Sequence, residues 1–257
     1  MHDFDFKLDP GSISDEEWHA RCELAALYRL IAHFRWTDHL DTHVSVRVPN
    51  EDDHFLINRY GVMFHEMRAR DLIKVNHAGD VVDTRANPGS VNRAGFNIHS
   101  ALHLARADIN CVIHTHTAAG IAVSAQAEGL LPISQHALKF HRRLGYHDYE
   151  GLSLIEEERG RLSRDLGPHM AMILRNHGLI AAGGCIAEAF YNLHFLERAC
   201  QAQVLALAGG RELNFPPKDI CERAALQEES AILEGQHLLA WEAALRLIAR
   251  DDDDYRI

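Results

Sequence analysis

Two histidines separated by one residue, His114 and His116, follow the apolar, β-prone run Cys111-Val112-Ile113. On a strand, residues i and i+2 point to the same side. The spacing therefore predicts that both imidazoles converge at the strand's end. The small, apolar stretch 118–127 suits a helix, and sites in α/β folds gather where a sheet hands over to a helix. A second apolar run, 170–174, ends in Arg175-Asn176-His177-Gly178. Three neutral imidazoles at two adjacent strand ends could hold a divalent metal with one or more positions open. That is the arrangement of catalytic rather than structural sites. Imidazole suits zinc, iron, nickel and copper alike, so the ring type leaves the metal open.

Other reactive residues read differently. His99 and His103 stand i, i+4 on a predicted helix over 92–106, but an H-E-x-x-H site needs Glu where Ser100 stands. They read as solvated or hydrogen-bonded histidines, with His99 on the side of the site. Cys111 lies near His114, yet its place inside an apolar strand gives it a core role rather than a nucleophile's.

The positioning elements follow in order. Ser14 with Glu17 forms a capping-box pattern that starts a helix running to about 36. Residues 42–48 alternate as a strand, with Val44, Val46 and Val48 on one face, and 54–58 form a second strand. Residues 72–75 and 81–82 flank His77-Ala78-Gly79-Asp80 as a hairpin. Asn87-Pro88-Gly89-Ser90 is a loop. A short helix near 135–140, a strand over 145–149 and a charged helix over 156–166 come next. Strands over 170–174 and 179–182 lead into a long helix over 186–208. Asn214-Phe215-Pro216-Pro217 breaks the chain before one last helix over 218–249, and Asp251–Asp254 is a solvated acidic run. The expectation is one domain over 1–257, with a loose tail at 1–13 and a C-terminal helix and acidic tail at 218–257. Hairpins mixed with crossovers predict an α/β fold with a mixed or largely antiparallel sheet and helices on both faces.

A chain of 257 residues with 47% hydrophobic content can bury one sizeable core. Its net charge of −11 argues against nucleic acid as a partner. No apolar run reaches the length of a membrane span. An acidic N-terminus without a signal-peptide pattern, and five widely spaced cysteines read as reduced thiols, predict a cytoplasmic protein.

The runs Asn92-Arg93-Ala94-Gly95-Phe96-Asn97-Ile98-His99-Ser100-Ala101 and Cys111-Val112-Ile113-His114-Thr115-His116-Thr117-Ala118-Ala119-Gly120 resemble the class II aldolase/adducin family. Gly129-Leu130-Leu131-Pro132-Ile133-Ser134, Tyr146-His147-Asp148-Tyr149-Glu150-Gly151, Leu174-Arg175-Asn176-His177-Gly178-Leu179 and Ala187-Glu188-Ala189-Phe190-Tyr191 continue the resemblance in register. It is nearest the adducin-like branch. It implies a three-layer α/β/α sandwich around a mostly antiparallel sheet. It also implies homo-oligomers, often tetramers, with sites near subunit interfaces; a separate expectation is that the long last helix docks on a neighbour and closes its site. The metal it implies is divalent, usually zinc, with iron, manganese or cobalt as alternatives, on His114, His116 and His177.

The departures narrow the chemistry. Sugar-phosphate aldolases of this family carry a Ser-Ser-Glu run, whose Glu is the acid/base, where this chain has Arg93-Ala94-Gly95. Their small-residue phosphate cradle is matched by Thr42-His43, Tyr60-Gly61 and Arg93-Ala94. A sugar phosphate is therefore not the expected substrate. A three-histidine metal can still act as a Lewis acid, stabilising the enolate left when a carbon–carbon bond breaks. Loss of CO2 needs no base to start it, so the missing Glu harms a decarboxylase less than an aldolase. The expectation is a metal-dependent carbon–carbon lyase, of decarboxylase or aldolase type, acting on a small carboxylated molecule. Arg93 would pair with the substrate carboxylate, and His43, Tyr60 and Asn176 would join it in binding, unless Asn176 braces the turn before His177. His147 or Tyr149 would supply the proton. Two other classes stay open: a non-haem iron oxygenase on the same three histidines, and a non-catalytic adducin-like binding module. Adducins act in the cytoskeleton through oligomerisation and tails, and this chain ends in an acidic run rather than a basic tail.

Overall fold

The computed structural model describes residues 13–82, 89–151, 157–249 and 254–257. The tail at 1–12, Asn87-Pro88, Glu156 and Asp251–Asp253 lie outside the described residues. Helix α1 spans Asp15–His33, and Ser14 caps it by accepting from the Glu17 amide at 3.1 Å. Only half of the expected capping box forms. The Glu17 carboxylate turns inward to Arg21 and Lys74 instead.

Seven strands make one sheet: β1 (His43–Arg47), β2 (His54–Ile57), β3 (Ile73–Asn76), β4 (Cys111–Thr115), β5 (Gly145–His147), β6 (Ala171–Leu174) and β7 (Gly178–Gly183). Their order is β3-β2-β1-β4-β7-β6-β5, and every pair is antiparallel except β5 with β6. The hairpin expected at 72–82 closes through a bridge between Val75 and Val81. The fold is α/β, with helices on both faces of this mostly antiparallel sheet.

Alternation along the strands assigns the faces. Val44, Val46, Cys111 and Ile113 pack on one side against α1, α6 (Ile186–Ala208) and α8 (Gln236–Ile248). Val112, Met172, Leu174, Ile180 and Ala182 pack on the other against α2 (Arg93–Ala105) and α5 (Glu158–Leu166). Two short helices, α3 (Ala118–Ser124) and α4 (Gln135–Leu138), border α6. The single last helix expected over 218–249 is instead two, α7 (Lys218–Leu233) and α8. The break falls at Gly235, whose φ of +83° is a left-handed conformation that stops a helix.

Register then places the polar residues of β1. His43 pairs with His114 and Ser45 with Val112, so both side chains share the face that α2 covers. Four residues of helix advance about 6 Å, and two of strand about 6.8 Å. The α2 residues Gly95, His99 and His103 therefore keep step with His43, Ser45 and Arg47 along the contact.

Candidate metal centre

Each of the three histidines is delivered by a different local device. His114 sits inside β4, the sheet's middle strand, and is fully buried. His116 lies one residue past that strand, just before Thr117 caps α3 by accepting from the Gly120 amide at 3.1 Å. His177 occupies the tight turn from β6 to β7, where Leu174 still pairs with Gly178. That turn is tight enough that a Cβ on Gly178 would overlap the Thr115 carbonyl, and Asn176 takes a φ of +56° within it.

The three rings converge, with one nitrogen from each within 4.8 Å of the others. Their outer hydrogen bonds set the tautomers. His114 Nδ1 donates to the Leu179 carbonyl at 3.0 Å, and His116 Nδ1 donates to Asp38 at 3.0 Å. Neither Nε2 then carries a proton. Yet His116 Nε2 lies 2.8 Å, and His177 Nε2 3.3 Å, from His114 Nε2. In the neutral rings, the bare Nε2 lone pairs of His114 and His116 held this close repel one another unless a cation lies between them. The donor set therefore fits a divalent metal, and the carboxylate–histidine arrangement at Asp38 is the usual support for such a ligand. Electrostatics agree. Burial, then the neighbouring imidazoles, holds His114 well below the ordinary histidine range. The same causes push His177 down to about 4. Both rings are neutral, as ligands must be, at pH 7.

A cavity of about 330 Å³ opens beside the three rings. Asp41, His43, Asn92, Ala94, Tyr149 and Asn176 line it together with the histidines. His43 stacks on His114 with centroids 5.4 Å apart. Tyr149 is exposed at the cavity's mouth, its ring 6.2 Å from that of His177. Gly95 matters here, because a Cβ on it would overlap the His43 imidazole.

Other expected residues lie elsewhere. Arg93 is exposed on the first turn of α2, between the cavity-lining Asn92 and Ala94. Tyr60 is exposed and does not line the cavity. His147 is buried and does not line the cavity, with Nδ1 2.7 Å from Asp165 and Nε2 facing Glu158 at 3.5 Å and Glu150 at 3.9 Å. Burial pushes the Cys111 thiol well up, which suits its core role. Asp38 and Asp41 were not anticipated from the sequence. Neither belongs to a periodic element, and Asp38 meets His116 across 78 residues.

A family model described as the class II aldolase and adducin N-terminal domain matches residues 22–204. The chain belongs to the class II aldolase and adducin family. Members of this family are typically metal-dependent lyases that use a divalent ion, often zinc, and commonly form oligomers. A crystal structure of an aldolase II superfamily protein from Pseudomonas syringae superposes with a TM-score of 0.91 at 48% identity, over 96% of this chain and 98% of that one. Alpha-adducin of Rattus norvegicus is 48% identical over 193 residues, 74% of this chain and 26% of adducin. An L-fuculose 1-phosphate aldolase from Glaciozyma antarctica superposes with a TM-score of 0.80 at 27% identity, over 94% and 93% of the two chains. No helix among the described residues is long and apolar enough to cross a membrane.

Two predictions follow from the geometry. Asp38→Asn removes the acceptor that orients His116, and is expected to weaken zinc binding about 10–100-fold. Competition against a chelating dye measures it, and unchanged affinity would remove Asp38 from the site. The second concerns His99 and His103, each pushed down to about 3, chiefly by burial. Unfolded histidines titrate near 6.5, so below that pH the unfolded chain binds protons that the folded chain refuses. Stability is thus full above about pH 6.5 and falls as pH drops toward 3, by up to about 1.4 kcal/mol per pH unit for each ring. Urea unfolding of metal-free protein at pH 7, 5.5 and 4.5 should show the decline. A flat profile would mean the rings are not buried and neutral.

Proposed function

We propose that this protein is a divalent-metal-dependent carbon–carbon lyase, of decarboxylase or aldolase type, acting on a small carboxylated substrate that is not a sugar phosphate. The observation that carries the reading is the set of three imidazole nitrogens converging beside a cavity. The position matched to the family's acid/base Glu is Gly95, and the space its side chain would take is filled by the cavity-lining His43 imidazole. His114, His116 and His177 would hold the ion. Bound there, a divalent cation supplies Lewis-acid polarisation of a substrate oxygen.

The remaining residues bind and move protons. His43 and Asn176 offer N–H groups to substrate oxygens inside the cavity. Arg93, exposed on the first turn of α2 between the cavity-lining Asn92 and Ala94, would pair with the substrate carboxylate. Tyr149 Oη, at the cavity's mouth, delivers the proton that replaces the broken bond. Zinc is the first choice of ion, and the active form is a homo-oligomer.

Protein loaded with zinc, manganese or iron should be screened against carboxylated aromatic, keto and hydroxy acids for release of CO2 or a carbonyl product. Tyr149→Phe should lower kcat about 100-fold with KM little changed. An unaltered kcat would exclude Tyr149 as the donor. The identity with alpha-adducin favours a second reading, a non-catalytic binding module. Metal-loaded protein inert toward every acid class would support that reading over the lyase.

A further inference from the structure

Beyond the metal cavity, three buried polar side chains lie in a row that the proposed chemistry leaves unused. Ser45 Oγ is 2.6 Å from His99 Nδ1 and 2.7 Å from His103 Nε2. All three residues are buried. At one end, His99 meets His43 at right angles with centroids 5.6 Å apart, and His43 lines the metal cavity. At the other end, His103 lines a groove of about 1030 Å³ with Asp52, His77 and Asn110. The row thus runs along β1 from the cavity to the far end of that strand.

A hydroxyl between two neutral imidazoles has one hydrogen to give and can accept another. Its bonds therefore have two equivalent directions. A purely structural pair would satisfy its outer nitrogens too. Here His99 Nε2 and both His43 nitrogens are buried without a protein partner, while the His103 ring also meets the Ile109 backbone. Each unbonded group costs about 1–3 kcal/mol, and these three sit where a proton would leave the row.

We infer that His99, Ser45 and His103 form a proton relay joining the His43 end of the metal cavity to the groove at the far end of β1. A proton arriving at His103 Nδ1 lets His103 Nε2 release its own to Ser45 Oγ. Ser45 passes its hydrogen to His99 Nδ1, and His99 Nε2 releases one toward His43. Each residue gains one proton and loses one, and both rings exchange tautomer without taking a net charge. An aldol-type cleavage sends a hydroxyl proton out and brings one back to carbon, so it resets the relay. A decarboxylation uses only the inward passage. The relay's catalytic use rests on the lyase reading, but its existence does not.

The test needs no substrate. Histidine labelled with ¹⁵N reports which ring nitrogen carries the proton. His99→Gln and His103→Gln identify the two rings' signals, and long-range couplings within the wild-type rings identify them should either variant fail to fold. The relay predicts that both nitrogens of each ring give shifts between the protonated and bare values, because the two directions interconvert. Ser45→Ala should fix each ring in one tautomer. Single fixed tautomers in the wild-type protein would overturn the relay and leave the lyase reading intact. Interconverting tautomers in a protein that cleaves no acid would sink the lyase reading and leave the relay standing.

Discussion

Gly95→Ala is expected to lower stability by about 1–3 kcal/mol, the usual result of overpacking a tight core contact. In a domain of this size that shifts the melting temperature by roughly 2–12 °C. The cause is local. The added Cβ would overlap the His43 ring, and that ring can yield only toward the metal cavity, away from its packed neighbours. It is stacked on His114, faces His99 and is only 3% exposed. The metal ligands are untouched, so zinc stoichiometry should hold while turnover falls. His43→Ala in the same chain makes room for the methyl group, and the double variant should recover part of the lost stability. A double-mutant cycle with a coupling energy near zero would show that Gly95 and His43 do not share this space.

His177→Ala is expected to reduce bound metal from about one ion per chain to a small fraction of that, with affinity falling at least about 1000-fold, because the proposed site has only three imidazoles among the described residues to hold the ion. His177 is the cleaner probe of the trio. His114 is fully buried and donates to the Leu179 carbonyl, so His114→Ala also leaves a cavity and an unbonded oxygen. Circular dichroism should remain native for His177→Ala while elemental analysis shows the metal lost. Retention of the ion at wild-type affinity would place it somewhere other than the three-histidine cluster.

Parts of this arrangement were legible in the sequence because they depend on local order. Val44 and Val46 alternate with polar neighbours, and Cys111 to Ile113 is a short apolar run ahead of two histidines. Strand identity and the convergence of the imidazoles follow from those patterns. The rest depends on what the chain meets far away. Nothing near Asp38 indicates that it will support His116. The parallel pairing of β5 with β6 depends on the crossover through α5, not on any pattern within Gly145–His147. The stretch 218–249 is helix-compatible almost throughout, and only the left-handed backbone at Gly235 divides it. Gly95 teaches most. From the sequence it reads as the loss of an acid, and in the fold it is the space that a second imidazole occupies. Arg93 and Tyr60 sit at positions matched to a phosphate cradle, yet both are exposed and neither lines the cavity.

X-ray absorption of the protein purified without added metal tests the central claim most directly. The account predicts about one divalent ion per chain, bound by three imidazole nitrogens with at least one exchangeable water or small-molecule ligand. A spectrum in which protein side chains fill every position, or no ion bound even after reconstitution, would contradict it.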